Sequence, residues 1–192
     1  MKIILFAIFL ITLNSFIAQA DNEAFIRIHD LLISSENDPD KIQKVLYVLS
    51  EEIAKQPHSR DLLRLRVKVY TSIGDINAAY NDVMNLVSLK PNASSYNYWK
   101  CIYEESLGFP QDSCIQCYEK VLKLIAEELG DNKEKNLGYI IALLMAQNPE
   151  GKKLADNFIT TLSNSTFDLY TKNELQKFDR NKFLPTYKVK SQ

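Results

Sequence analysis

An all-α fold of stacked antiparallel helical hairpins is what this sequence predicts, and three observations carry the prediction. Apolar residues recur at spacings of three and four, the period of a helix face. Only five glycines occur in 192 residues, with few strand-like alternations. Pro57 and Pro91 each close a helical pattern. With 46% apolar and 24% charged residues, the chain is long enough for one domain with a core and too short for two large ones. Its 23 basic and 24 acidic residues are spread along the sequence, for a formal net charge of −1. No global field therefore recruits nucleic acid or an anionic membrane.

Taken in order, residues 1–20 read as a secretory signal peptide: Lys2, an apolar run from Ile3 to about Leu13, then Ala18-Gln19-Ala20 before Asp21. The run is shorter than the ~20 apolar residues of a spanning helix, so cleavage and no stable membrane insertion are expected. No cysteine near the cleavage point offers a lipoprotein anchor. The chain is expected to be exported, to the periplasm if Gram-negative bacterial and otherwise secreted. Residues 21–179 form the helical domain. In it, Phe25, Ile28, Leu32 and Ile33 mark one helix, and Ile42, Val45, Leu46, Leu49 and Ile53 a second, with Ser34 to Asp40 as the turn.

The segment Arg60 to Asn92 is the clearest unit. Leu63, Val67 and Tyr70 share the face of a helix ending near Ile73; Gly74 can take the left-handed backbone that ends it, and the Asp75 carboxylate can cap the next. Small Ala78 and Ala79 suit close helix approach, and Val83, Leu86, Val87 and Leu89 continue the stripe until Pro91. The pattern then returns: Ser94 or Ser95 as a cap, a helix through Tyr96, Trp99, Cys101 and Tyr103, the turn Leu107-Gly108-Phe109-Pro110, and a longer helix from Gln111 to Leu129. Gly108 follows Gly74 at the same interval that separates Pro57 from Pro91, but the next helix is shifted by one. Residues 133–147 and about 150–162 give a last hairpin, punctuated by Asn148-Pro149, whose second helix closes the array. Thr171 to Phe178 adds a short helix, and 180–192 reads as a basic, poorly ordered tail.

Tyr70, Gly74, Asp75, Ala79, Val83 and Pro91 resemble a tetratricopeptide repeat in order and spacing. Val83 replaces the usual aromatic, and Leu63 stands where the family often has tryptophan. The step from Pro57 to Pro91 is the length of one such repeat, which makes the preceding segment similar to a diverged copy. The resemblance implies an α-α superhelix whose first helices line a concave groove, and it brings no catalytic residues with it. On that reading the groove positions of the central helix are Asp61, Arg64, Lys68 and Thr71. One repeat further on, the equivalent positions of the neighbour are Ser95, Tyr98, Ile102 and Glu105. This mixed patch of cations, hydroxyls, a tyrosine and an isoleucine suits a protein or peptide partner, and an exposed Ile102 would need covering. Lysine and asparagine form the family's carboxylate clamps; Arg64 and Lys68 supply charge here, but the asparagines are missing.

The three cysteines, Cys101, Cys114 and Cys117, fall in one hairpin. Export favours a disulfide, and facing helices can bring Cys101 opposite Cys114 or Cys117. The inward stripe favours Cys101 to Cys114, closing a loop worth roughly 3 kcal/mol. Cys114-Ile115-Gln116-Cys117 also has redox C-x-x-C spacing, the opposing reading of a thiol-redox protein, but it lacks the strand-to-helix setting of a thioredoxin, and Tyr118 replaces the histidine of haem attachment. No fourth ligand completes a zinc site. His29 and His58 have surface contexts, adjacent acid pairs such as Glu104-Glu105 point apart on a helix, and no phosphate-cradling loop or metalloprotease motif occurs. No catalytic residue, cofactor or metal is therefore expected. The expected protein is an exported, non-enzymatic scaffold: an adaptor, an assembly factor or a toxin-neutralising immunity protein.

Overall fold

A computed structural model describes residues 38–163 and 165–180, with helical Ile26 and Ile28 ahead of them. The expected signal peptide, most of the helix around Phe25 to Ile33, and tail residues 181–192 lie outside the described residues. Among the described residues all regular structure is helical, as expected. The helices are α1 (Pro39–Lys55), α2 (Arg60–Ile73), α3 (Ile76–Leu89), α4 (Ser94–Ser106) and α5 (Gln111–Leu129). A 3-10 segment (Gly130–Lys135) then leads into α6 (Leu137–Met145), α7 (Pro149–Thr161) and α8 (Thr166–Gln176). The chain divides into two compact units, Met1–Val69 and Tyr70–Gln192, with the division inside α2.

In the first unit α1 starts where its cap chemistry dictates. The Asp38 carboxylate accepts from the backbone N–H groups of Asp40 and Lys41, and Pro39 takes a first-turn position where its missing N–H costs nothing. The helix therefore begins inside the stretch expected to be a turn. It buries Val45, Leu46, Leu49 and Ile53, while α2 buries Leu62, Leu63, Leu65, Val67 and Val69. Burial on that many sides makes α2 an interior helix, wider than the single face that Leu63, Val67 and Tyr70 predict. Each such side chain removed from water contributes about 1.5–3 kcal/mol, so apolar burial dominates here. The cross-helix polar link from Arg66 Nη1 to Ser50 Oγ, at 3.2 Å, is minor beside it.

In the second unit three helices end the same way. Gly74 and Gly108 have φ of +79° and +82°. Asp75 N donates to Tyr70 O at 2.9 Å and Phe109 N to Glu104 O at 3.0 Å, so the same bond recurs at the equivalent place of the next hairpin. Asn148 N donates to Leu143 O at 2.9 Å after α6, and there Gln147 takes the left-handed conformation with φ +56°. These are one helix-ending motif, built twice on glycine and once without it. The one-residue shift expected after Gly108 has a visible cause. Asp75 caps α3 by accepting from Ala78 N at 3.0 Å, whereas Pro110 occupies the cap position of α5 and supplies no side-chain bond. With that extra residue counted, Ala79 matches Cys114, Val83 matches Tyr118 and Leu86 matches Val121, each fully buried.

The core around α4, α5 and α6 gathers Cys101, Ile102, Cys114, Tyr118, Val121, Ile125, Ala142 and Met145. A smaller cluster of Ile140, Ala155 and Leu175 ties α6 to α7 and α8. Buried Asn97 is satisfied by donating to Pro91 O and Ala93 O at 2.8 and 2.9 Å, which anchors the loop before α4. Neither Ser94 nor Ser95 caps α4: Ala93 holds that position without a side-chain bond. Glu128 takes over from α5, accepting from Ser94 N at 3.0 Å and from Ser94 Oγ. A carboxylate suits the positive end of a helix. The 3-10 segment departs from the expected hairpin, and it delays α6 to Leu137. The last helix begins five residues earlier than expected, at Thr166, where Ser165 Oγ accepts from Asp168 N.

Candidate binding site

Beside the cap of α4 lies an open cleft of about 280 Å³. Ser95, Tyr98 and Trp99 line it from α4, Ile125 and Leu129 from α5, and Asn136 and Gly138 from the lead into α6. Tyr98 is positioned by its ring lying 5.9 Å from that of Tyr118, and Trp99 by a tilted contact of 6.3 Å with Tyr96. Asn136 is fixed because its side chain caps α6, accepting from Tyr139 N at 3.0 Å. The cleft thus has an apolar floor, two oriented aromatics and a hydroxyl rim, suited to a side chain presented by a partner. Two of the eight expected groove residues, Ser95 and Tyr98, meet here.

The other six stand differently. In the first unit, Asp61 and Arg64 form an exposed ion pair at 3.3 Å, and Lys68 is exposed. Such a pair is screened by solvent and contributes little to stability, which leaves these charges available to a partner. In the second unit, Thr71 Oγ1 is hydrogen-bonded to Tyr103 Oη at 2.5 Å. Ile102 is 9% exposed and packed in the core with α5 and α6, so the expected exposed isoleucine is corrected: the following hairpin covers it. Glu105 is also enclosed. It accepts from Tyr118 Oη at 3.1 Å and its Oε1 lies 3.0 Å from Arg180 Nη2. Burial raises its pKa above the usual carboxylate value, against the pull of Arg180 and Tyr118. Arg180, expected to open a disordered tail, is therefore held.

A second polar group brackets the same hairpin. Glu104 accepts from Tyr80 Oη at 3.0 Å and pairs with Lys100 at 2.9 Å, joining α3 to α4. Burial, reinforced by the Glu104 carboxylate, pushes the Tyr80 pKa up to about 12.

The disulfide joins Cys101 to Cys117, with Cα atoms 5.6 Å apart, and Cys114 is a buried free thiol. The expected Cys101–Cys114 pairing is thus corrected, and so is any bond within the C-x-x-C. Antiparallel helices bring together residues at similar distances from their turn. Cys101 lies five residues before the end of α4 at Ser106, Cys117 six after the start of α5 at Gln111 and Cys114 only three. Cys114 instead faces the turn, its Sγ 3.7 Å from Phe109 O, in the small-residue place that Ala79 holds one repeat earlier. Burial and then the nearby Glu105 charge push its thiol pKa up, away from a reactive thiolate. Among the described residues no group of three His, Cys, Asp or Glu side chains could hold a metal ion. No described helix is long and apolar enough to cross a membrane.

Fold and cleft define the class as an all-helical protein of successive helical hairpins. No family model matches the sequence, and no curated protein matches it. Among solved structures the chain is similar to an O-GlcNAc transferase mutant of Thermobaculum terrenum, at 15% identity and a TM-score of 0.49. The match covers 75% of this chain and 27% of that one, so this chain spans about a quarter of its length.

Proposed function

We propose that this protein is an exported, non-enzymatic scaffold of tetratricopeptide-like hairpins that binds a protein or peptide, as an adaptor, an assembly factor or a toxin-neutralising immunity protein. The observation that carries the reading is the open cleft on α4, lined by Ser95, Tyr98 and Trp99 on the first helix of a hairpin whose helix-ending bonds repeat those of the hairpin before it. Tyrosine and tryptophan anchored by neighbouring rings lose little entropy on binding and are typical interface anchors. Export is supported by the leader pattern of residues 1–20 and by the Cys101–Cys117 disulfide, a bond that persists in oxidising compartments.

The test is affinity capture from native extract with the secreted or periplasmic protein as bait. Tyr98→Ala combined with Trp99→Ala is expected to lose a partner that the wild type retains. Ser95→Glu, a change at an exposed position, is expected to do the same without touching the Tyr98–Tyr118 contact. Equal capture by all three proteins refutes the assigned face. A mature chain beginning at Asp21, read by mass spectrometry, checks export.

A further inference from the structure

The last described residues of the chain fold back onto α4 and α5. Phe178 packs against the core formed by Cys101, Ile102, Cys114 and Tyr118, and Arg180 reaches Glu105. The position that receives Arg180, Glu105, belongs to the face that repeat geometry assigns to partner binding. We propose that this surface is a receptor for a segment carrying a large apolar side chain and, two residues later, an arginine or lysine, and that Phe178-Asp179-Arg180 is its resident, displaceable occupant. The proposal rests on the scaffold reading above and adds the chemistry of the partner and the means of regulation.

Charge and geometry argue for both halves of it. Glu105 is only 13% exposed and accepts one bond from Tyr118, so its carboxylate is enclosed and wants a cation. The resident supplies one imperfectly. Arg180 Nη2 stands 3.0 Å from Glu105 Oε1, yet neither Nη2 nor Nε finds a well-directed hydrogen-bond acceptor among the described residues. An arginine whose buried donors are left unmet forfeits much of what a bidentate pair provides. A competing segment that satisfies the carboxylate in full therefore gains over the resident. Phe178 and Asp179 lie beyond the end of α8, where Phe178 N donates to Leu175 O at 3.4 Å, so their release costs that terminal bond and leaves the rest of the α8 ladder in place.

The experiment uses fluorescence anisotropy of a labelled peptide carrying residues 175–183 of this chain, titrated with full-length proteins. The opened variant, Phe178→Ala with Arg180→Ala, is expected to bind the peptide at least tenfold more tightly than wild type. Adding Glu105→Gln to the opened variant is expected to remove most of that gain. Equal binding by wild-type and opened proteins, both helical by circular dichroism, overturns the proposal. Should the opened variant fail to fold, Arg180→Gln removes the cation from Glu105 and leaves Phe178 in place. It is expected to bind more tightly than wild type, and equality there overturns the proposal as well. If opening changes neither peptide binding nor partner capture while wild type still captures, the resident-occupant idea fails and the scaffold stands. If the opened protein takes the peptide but no variant captures a partner, the scaffold reading fails instead.

Discussion

Exchanging the helix-ending residues of the second unit tests whether its three turns are one motif. Gln147 sits at φ +56°, in a region that costs a side-chain-bearing residue about 1–2 kcal/mol and glycine almost nothing. Gln147→Gly removes that strain but gives the unfolded chain extra freedom worth about 0.4–1 kcal/mol. The net expectation is a stabilisation of about 0.5–1 kcal/mol. Gly74→Ala is the mirror experiment. A Cβ at Gly74 meets nothing within 4 Å, so no steric clash enters and the loss, again about 0.5–1 kcal/mol, is all backbone. Equilibrium unfolding in urea, followed by far-UV circular dichroism, reads both. With a slope of about 2 kcal/mol/M, the midpoint should rise by about 0.25–0.5 M for Gln147→Gly and fall as much for Gly74→Ala. A fall in midpoint for Gln147→Gly, or no change for Gly74→Ala, would refute the shared-motif reasoning.

The remaining predictions concern the same hairpins. Cys117→Ser should cost about 3 kcal/mol under oxidising conditions by opening a loop of sequence separation 16, whereas Cys114→Ser leaves the bridge intact in a non-reduced peptide map; a fragment linking Cys101 to Cys114 would contradict this. Gly151→Ala places a Cβ 3.0 Å from Leu144 N and 3.1 Å from Leu143 C. Both are backbone atoms, so α6 and α7 must separate, and a loss of about 1–3 kcal/mol should outweigh the better helix propensity of alanine; a higher melting temperature would show otherwise. Burial holds the Glu105 pKa above its ordinary 4.5, so the folded protein keeps that proton more tightly than the unfolded chain. The stability that Glu105 contributes is therefore fully present below pH 4.5 and declines as the pH rises through the raised value. The stability of wild type relative to Glu105→Gln should fall across that window, and a difference that grows with pH would show that the ion pair, not desolvation, dominates.

Helix content, most helix ends and the interval between hairpins were legible because they are local. A glycine before an aspartate, a proline after an apolar stripe and an asparagine before a proline act through bonds within a few residues. The turn at Gln147 escaped such reading because a residue other than glycine bears the left-handed strain there. The cleft was half legible: Ser95 and Tyr98 follow from repeat arithmetic, while Ile125, Leu129 and Asn136 join them only once α5 and α6 have packed.

The sequence by itself determined an all-helical chain of hairpins, the position of most of its caps and the stripe each helix buries, since the spacing of apolar residues and the chemistry of caps require no knowledge of distant neighbours. Tertiary packing alone decided which cysteine meets Cys101, that Ile102 is core, that Glu128 of α5 caps α4 and that Arg180 returns to Glu105. Each depends on which side chains stand at matching heights on facing helices. A shift of one residue, such as the one Pro110 introduces, resets those heights without altering any local pattern.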